Sequence, residues 1–254
     1  MIATASPSSE SNVAAVPGST FICPHCGGEL ERSGKSLSCT HCHSRYDISA
    51  TAVPAFARQR ASSRFELPVL YDAAQLALGS RRSLSRVKVL LDRVAPTSVL
   101  DVGGGTGLYA AAVPESARYV VVDADAAKLA RLRTRVPRAE AVLADATRLP
   151  IRTKSFDLAL FIAVAHHLSD EALERALAEL VRVTRELVLV VEPLASERRA
   201  PRMLWRLDRG SFPRRAEELT ARLARRFEPE HLERYLIHHD YLLWLGRPRA
   251  AAAA

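Results

Sequence analysis

The chain has 254 residues, 48% hydrophobic and 25% charged, with a net charge of +8; this composition suits a water-soluble protein with one large domain or two modest ones. No apolar run approaches the roughly 20 residues that cross a bilayer, which excludes a membrane-spanning helix. The positive excess is mostly arginine, with lysine only at Lys35, Lys88, Lys128 and Lys154, and such a balance permits contact with anions or nucleic acid without indicating either.

The first stretch, 1–20, has neither a basic start nor a continuous apolar core. It reads as a disordered lead-in rather than a secretion signal, and a cytoplasmic location is expected. Residues 21–49 hold every cysteine, as CPHC and CTHC: Cys23, Cys26, Cys39 and Cys42. Each CxxC pair places two thiolates on one tight turn, with Gly27 and Gly28 suiting the first. Two such turns face to face make a tetrahedral set for Zn²⁺, here a zinc ribbon. Four thiolates close the coordination shell, so the metal is expected to be structural; His25, His41 and His43 are substitute ligands, and a pair of disulfides is disfavoured in a reducing compartment.

Residues 50–85 form a polar, arginine-containing connector with helical patches that includes Phe65, Tyr71 and Asp72. Apolar strands then alternate with amphipathic helices. SVLDVG is followed by a glycine loop and a helix over Leu108–Val113, then come YVVVDAD, the helix KLARLRTRV, AEAVLAD, FDLALFIAV, the helix DEALERALAELVRVT and ELVLVVEP. ERYLIHH and YLLWLGRP read as two more strands, paired as a hairpin at one edge. The expected fold is α/β: a doubly wound, mainly parallel seven-stranded sheet over 86–248 behind the small ribbon, with a flexible tail at 249–254.

Within VLDVGGGTG, Gly103, Gly105 and Gly107 fall on alternate positions after Asp101, at the carboxyl end of the first parallel strand. Ligands bind at this switch point of an open sheet, and glycine lets the backbone approach them. The alternating pattern leaves Gly104 without a role. Asp123 ends the second strand, with Ala124 beside it, where a carboxylate accepts two hydrogen bonds from a ribose diol. Asp125 is the better helix N-cap. Asp145 ends the third strand, and its carboxylate with the Ala146 amide matches the edge of an adenine.

VLDVGGGTGLYA, YVVVDADAAKL, LADATRLPIRTKSFDLALFIAVAHHL and ELVRVTRELVLVVEP resemble, in order and spacing, the motifs of class I S-adenosylmethionine-dependent methyltransferases over about residues 97–193. The resemblance implies that Asp101 and Gly103–Gly107 hold the amino-acid end of the cofactor, Asp123 and Ala124 the ribose, and Asp145 and Ala146 the adenine. Phe161 to Ala163 would line the floor near the sulfonium. The Lys-Pro-Gly-Gly turn common before the family's fifth strand is absent, so RVTRELVLV must turn by other means. A ribbon ahead of this core is similar to the layout of the large-subunit ribosomal RNA guanine methyltransferases, including Tyr46 and Asp47 after the last ligand. AVAHHL is closer to small-molecule methyltransferases.

Methyl transfer needs chiefly in-line positioning, with a base if the acceptor atom carries a proton. Candidate bases are His166 and His167, and after them His238, His239 and Asp240. Over 194–230 an arginine-rich insertion occupies the place of a lid: ten arginines from Arg198 to Arg226 against Asp208, Glu217 and Glu218. It could cover an anionic substrate, although Arg222, Arg225 and Arg226 also fit a solvated helix face. Met203, Trp205 and Phe212 suit an apolar acceptor pocket or anchor the lid. A small-molecule acceptor is expected, with an RNA base as the alternative and a noncatalytic binding subunit third. The oligomeric state is not legible.

Overall fold

Residues 14–15, 20–57, 80–195, 212–237 and 239–250 are described by the computed structural model. At the amino end, β1 (Ala14–Ala15), β2 (Leu30–Ser33), β3 (Ser36–Cys39) and β4 (Arg45–Asp47) pair antiparallel in that order. Of the stretch expected to be a disordered lead-in, Ala14 and Ala15 pair with Arg32 and Glu31, and 1–13 and 16–19 lie outside the described residues. Among the described residues the buried apolar core of this small sheet is Cys23, Leu30, Leu37 and Cys39, less than a unit this size needs to stand alone.

The remaining elements are α1 (Ser80–Val94), β5 (Ser98–Val102), β6 (Arg118–Asp123), α2 (Ala126–Arg135), β7 (Glu140–Leu143), β8 (Phe156–Ile162), α3 (Asp170–Val183), β9 (Thr184–Pro193), α4 (Ala216–Arg226), β10 (Phe227–Leu236) and β11 (Asp240–Pro248). Seven strands form one sheet in the order β10-β11-β9-β8-β5-β6-β7. The pairs from β9 to β7 are parallel, and β11 runs antiparallel to both β9 and β10. The chain builds outward from β5 to one side, then returns to lay β8 and β9 on the other. The crevice between the carboxyl ends of β5 and β8 is thus the topological switch point.

Both faces of the sheet are covered, which is why its strands read as nearly continuous apolar runs. Leu100, Val122, Phe161 and Val190 pack against Leu173 and Leu177 of α3 and Leu219 and Leu223 of α4. Val99, Val121, Leu160 and Leu189 face Leu91 of α1 and Leu129 and Leu132 of α2. Asp125 caps α2 as expected, accepting the amides of Ala127 and Lys128.

Two local expectations are corrected. The helix expected over Leu108–Val113 is one 3-10 turn, Ala110–Ala112, because Val113 precedes Pro114 and takes the extended backbone that proline imposes on its neighbour. Between α3 and β9 no turn is used: the helix ends at Val183 and the strand begins at Thr184. Lys154 makes this junction by donating from Nζ to the carbonyls of Val181 (3.1 Å) and Thr184 (2.8 Å), a cation placed where the helix dipole favours one.

The ribbon docks on the β7 edge. Ile22 N–H donates to Pro150 O (3.0 Å) and Arg152 N–H to Thr20 O (2.8 Å). Residues 54–56 run alongside β7, with Leu143 N–H donating to Pro54 O (2.9 Å) and Phe56 N–H to Leu143 O (2.8 Å). This covers an edge that would otherwise expose unpaired backbone groups. At the far end, the flexible tail expected over 249–254 is corrected at Arg249, whose N–H donates to Arg226 O (2.9 Å) and whose guanidinium pairs with Glu228 (2.7 Å). Among the described residues no helix is long and apolar enough to cross a membrane. Phe65, Tyr71, Asp72, Met203, Trp205, Asp208 and His238 lie outside the described residues.

Candidate cofactor cleft and metal centre

Three carboxylates stand at the carboxyl ends of three adjacent parallel strands. Asp101, 2% exposed, accepts the Tyr119 hydroxyl at 2.6 Å. Burial pushes its carboxyl up to about 7 against the pull of that hydrogen bond. Between the unfolded value of about 4 and about 7, the folded chain binds more protons than the unfolded one. This group's contribution to stability is therefore complete below pH about 4 and is lost as pH rises through about 7. Asp101→Asn should flatten that decline, read as the difference between variant and parent in urea melts across this window; a difference independent of pH counts against the assignment.

Gly104, which the alternating pattern left unexplained, lies against this carboxylate. A Cβ there would sit 2.5 Å from Asp101 Cγ and Oδ2. Gly104→Ala should cost about 1–3 kcal/mol through overpacking, visible as a lowered thermal midpoint; an unchanged midpoint would show that the loop gives way freely. Gly103 has φ +79, and a Cβ on it would meet Val164 Cγ2 at 2.4 Å, so the loop and the turn after β8 are in contact.

Asp123 is half-buried. Its Oδ2 accepts Gly105 N–H (2.9 Å) and its Oδ1 accepts Asp125 N–H (2.8 Å). Burial raises its pKa, with Lys128 and the two amides opposing. Asp145 is exposed and accepts Thr147 N–H at 2.8 Å. Beside it a cavity of about 580 Å³ opens between Pro24 of the ribbon, Phe56, Arg148 and Arg175. Of the expected floor, Phe161 is fully buried in the core, so its side chain supports the cleft from beneath. Ala163 holds a left-handed backbone, φ +54, with its N–H on Val191 O (2.7 Å).

The two candidate bases diverge. His167 is exposed and His166 is buried, their rings 4.0 Å apart. His166 meets Glu192, a residue the sequence reading did not single out. Glu192 Oε2 accepts the amides of Val164 and Ala165 (3.1 Å each), while Oε1 accepts His166 N–H (2.9 Å) and contacts His166 Nδ1 at 2.5 Å. A usable signal existed: Glu192 ends an apolar strand as Asp101 and Asp123 do. His239 is buried in the hairpin, and Asp240 O accepts Leu194 N–H (2.7 Å).

Of the arginine-rich stretch, residues 212–226 are described, and their cations are held. Arg214 pairs with Asp170 (2.7 Å) and donates to the carbonyls of Ala165 and Leu168, and it keeps the Asp170 carboxyl below its ordinary range. Arg222, Arg225 and Arg226 all reach Glu174 of α3, at 3.2, 2.9 and 3.2 Å. They tie α4 to α3, with Arg222 largely covered while Arg225 and Arg226 keep the solvated face expected of them.

The four cysteine Sγ atoms lie within 4.8 Å of one another. Cys23–Cys42 are 3.6 Å and Cys26–Cys39 3.5 Å apart, far beyond the roughly 2.05 Å of a disulfide and near the about 3.8 Å edge of a tetrahedron with Zn–S of 2.3 Å. Amides of His41 and Cys42 point at Cys39 Sγ (3.4 and 3.5 Å), and Tyr46 Oη is 2.9 Å from Cys23 Sγ. Such donors suit thiolates, so the set fits a zinc ion.

Residues 99–186 match the family model for a methyltransferase domain. Over 105 residues the chain is 36% identical to a Mycobacterium tuberculosis protein named "Probable S-adenosylmethionine-dependent methyltransferase", an overlap of 39% of this chain and 38% of that one. Over 149 residues it is 27% identical to the 23S rRNA (guanine(748)-N(1))-methyltransferase of Streptomyces fradiae, 54% of this chain and 53% of that one. The chain therefore spans about two fifths to one half of the length of these curated relatives. The structure of the N-methyltransferase NodS from Bradyrhizobium japonicum, in complex with S-adenosyl-L-homocysteine, shares the fold with a TM-score of 0.54 at 18% identity, covering 68% of this chain and 88% of that one. Taken with the glycine loop and the strand-end carboxylates, the match identifies residues 99–186 as a methyltransferase domain, carried in a seven-stranded Rossmann-like sheet behind a four-cysteine ribbon.

Proposed function

We propose that the protein transfers a methyl group from S-adenosylmethionine to a small-molecule acceptor by in-line displacement, with a structural zinc in the ribbon. When bound, the cofactor supplies a methyl on a sulfonium, an electrophile that needs no further activation. Asp101 and the Gly103–Gly107 loop take its amino-acid end, Asp123 and Ala124 its ribose, Asp145 and Ala146 its adenine, and Ala163 the floor. The observation that carries the cofactor reading is the row of carboxylates Asp101, Asp123 and Asp145 along adjacent strand ends.

For the acceptor, Arg214, Arg222, Arg225 and Arg226 are engaged with Asp170, Glu174 and Glu218 of the same chain, which offsets most of their charge and supports a small molecule over a phosphate chain. The second reading, an RNA base, draws on the likeness to the Streptomyces fradiae enzyme and on the ribbon lying next to Asp145. One experiment separates them. The full chain is incubated with methyl-tritiated S-adenosylmethionine and a cell extract split into low-molecular-mass and RNA fractions. Label is expected in the first; label in RNA, lost steeply with added salt, supports the second.

A further inference from the structure

Tyr119 does more than fill the core. It lies on β6, 1% exposed, on the face of the sheet that α1 and α2 cover. Its hydroxyl reaches across to β5 and donates to Asp101 Oδ2 at 2.6 Å. A buried phenol needs a partner, and here the partner is the carboxylate packed under the glycine loop, where Gly104 leaves no room for a Cβ. With Oδ2 taken, Oδ1 has no donor among the described residues, which leaves it for a donor that a ligand brings.

The tyrosine is itself held. The Arg138 guanidinium stands 5.5 Å from its ring centroid and donates to the carbonyls of Ala110 (3.2 Å) and Val113 (3.0 Å), in the turn that follows the loop. Nothing else near Asp101 favours an anion. Asp123 on β6 is a like charge, and α1 and α2 present Leu91, Leu129 and Leu132 to this face. The Tyr119 hydroxyl is the group that works against burial to keep the carboxyl ionised. Burial and Asp101 push the phenol well above its ordinary range, so it stays a donor at every working pH.

Building on the cofactor reading above, we propose that Tyr119 is a positioning residue for S-adenosylmethionine, its hydroxyl fixing Asp101 beneath the glycine loop and keeping that carboxylate an anion for the ammonium at the cofactor's amino-acid end. Tyr119 touches no ligand in this role. It acts through Asp101 alone.

The test measures S-adenosyl-L-homocysteine affinity of the full chain by calorimetry from about pH 6 to about pH 8.5, for the parent, Y119F, D101N and the double variant. Parent affinity should fall as pH drops below about 7, where the Asp101 carboxyl takes up its proton. Y119F keeps the ring and removes the hydroxyl, so its carboxyl should protonate at higher pH still. It should bind about tenfold more weakly than the parent at and below neutral pH, with the gap narrowing toward alkaline pH; a merely structural defect gives the same gap throughout. D101N should bind weakly without the acid-side fall, and adding Y119F to it should change affinity by less than about twofold. A gap between parent and Y119F that does not vary with pH, or a Y119F effect as large on D101N as on the parent, overturns the proposal. Should Y119F not fold, a parent whose affinity falls no more steeply with acid than that of D101N overturns it as well. A parent that binds no S-adenosyl-L-homocysteine overturns the cofactor reading instead.

Discussion

Cys39→Ser is expected to unfold the ribbon, abolish metal binding and loosen the β7 edge of the sheet. The buried apolar core of the ribbon is small, Cys23, Leu30, Leu37 and Cys39 among the described residues, so most of its folding free energy would come from the proposed zinc, which contributes about 10–16 kcal/mol in small four-ligand peptides. The effect should travel. Residues 54–56 follow the ribbon directly and hydrogen-bond to Leu143, two residues before Asp145. Elemental analysis of the parent should give one zinc per chain. Hydrogen exchange should then show the amides of Ile22, Phe56 and Leu143 losing protection together in C39S or after chelation. Full protection of those amides in metal-free protein would sink the idea that the metal builds this unit. Since Leu143 leads directly to the loop that carries Asp145, S-adenosyl-L-homocysteine affinity should weaken in the same samples.

The second large effect is expected at Asp123. Its carboxylate is fixed from behind by the amides of Gly105 and Asp125, which aims it before any ligand arrives. A hydrogen bond to a charged group contributes about 1.5–3 kcal/mol, and a ribose diol offers two. Asp123→Ala should therefore weaken S-adenosyl-L-homocysteine by on the order of 3 kcal/mol or more, over a hundredfold in Kd. Calorimetry is the direct measurement. An affinity within a few fold of the parent would mean that the ribose is held elsewhere. Part of any loss could instead reflect a loosened glycine loop, since Gly105 loses its acceptor; Asp123→Asn keeps an oxygen for that amide while removing the charge, and it should still bind at least tenfold more weakly than the parent.

The parallel core was legible because its signals are local. Apolar runs such as SVLDV and YVVVD, each closed by an aspartate, mark strands buried on both faces whose carboxyl ends reach a ligand cleft. The terminal hairpin was legible for the same reason. The stretch after the glycine loop reads as a helix by composition, yet the adjacent Pro114, a local signal given too little weight, cuts it to one turn. Where neighbours far along the chain decide the outcome, the sequence was mute. The RVTRELVLV junction reads as a missing turn, yet Lys154, thirty residues upstream, closes it.

By itself, then, the amino-acid sequence determined the class of sheet, the row Asp101, Asp123 and Asp145, and the four-cysteine cluster. Each of these depends on spacing within a few residues or on the period of a single strand. The tertiary structure alone decided that Gly104 lies against the Asp101 carboxylate, that Arg214, Arg222, Arg225 and Arg226 reach Asp170 and Glu174 of α3, and that His166 meets Glu192. These are contacts between residues brought together only when separate strands and helices pack. Their energetics turn on burial and on which donor meets which acceptor, quantities that no linear pattern records.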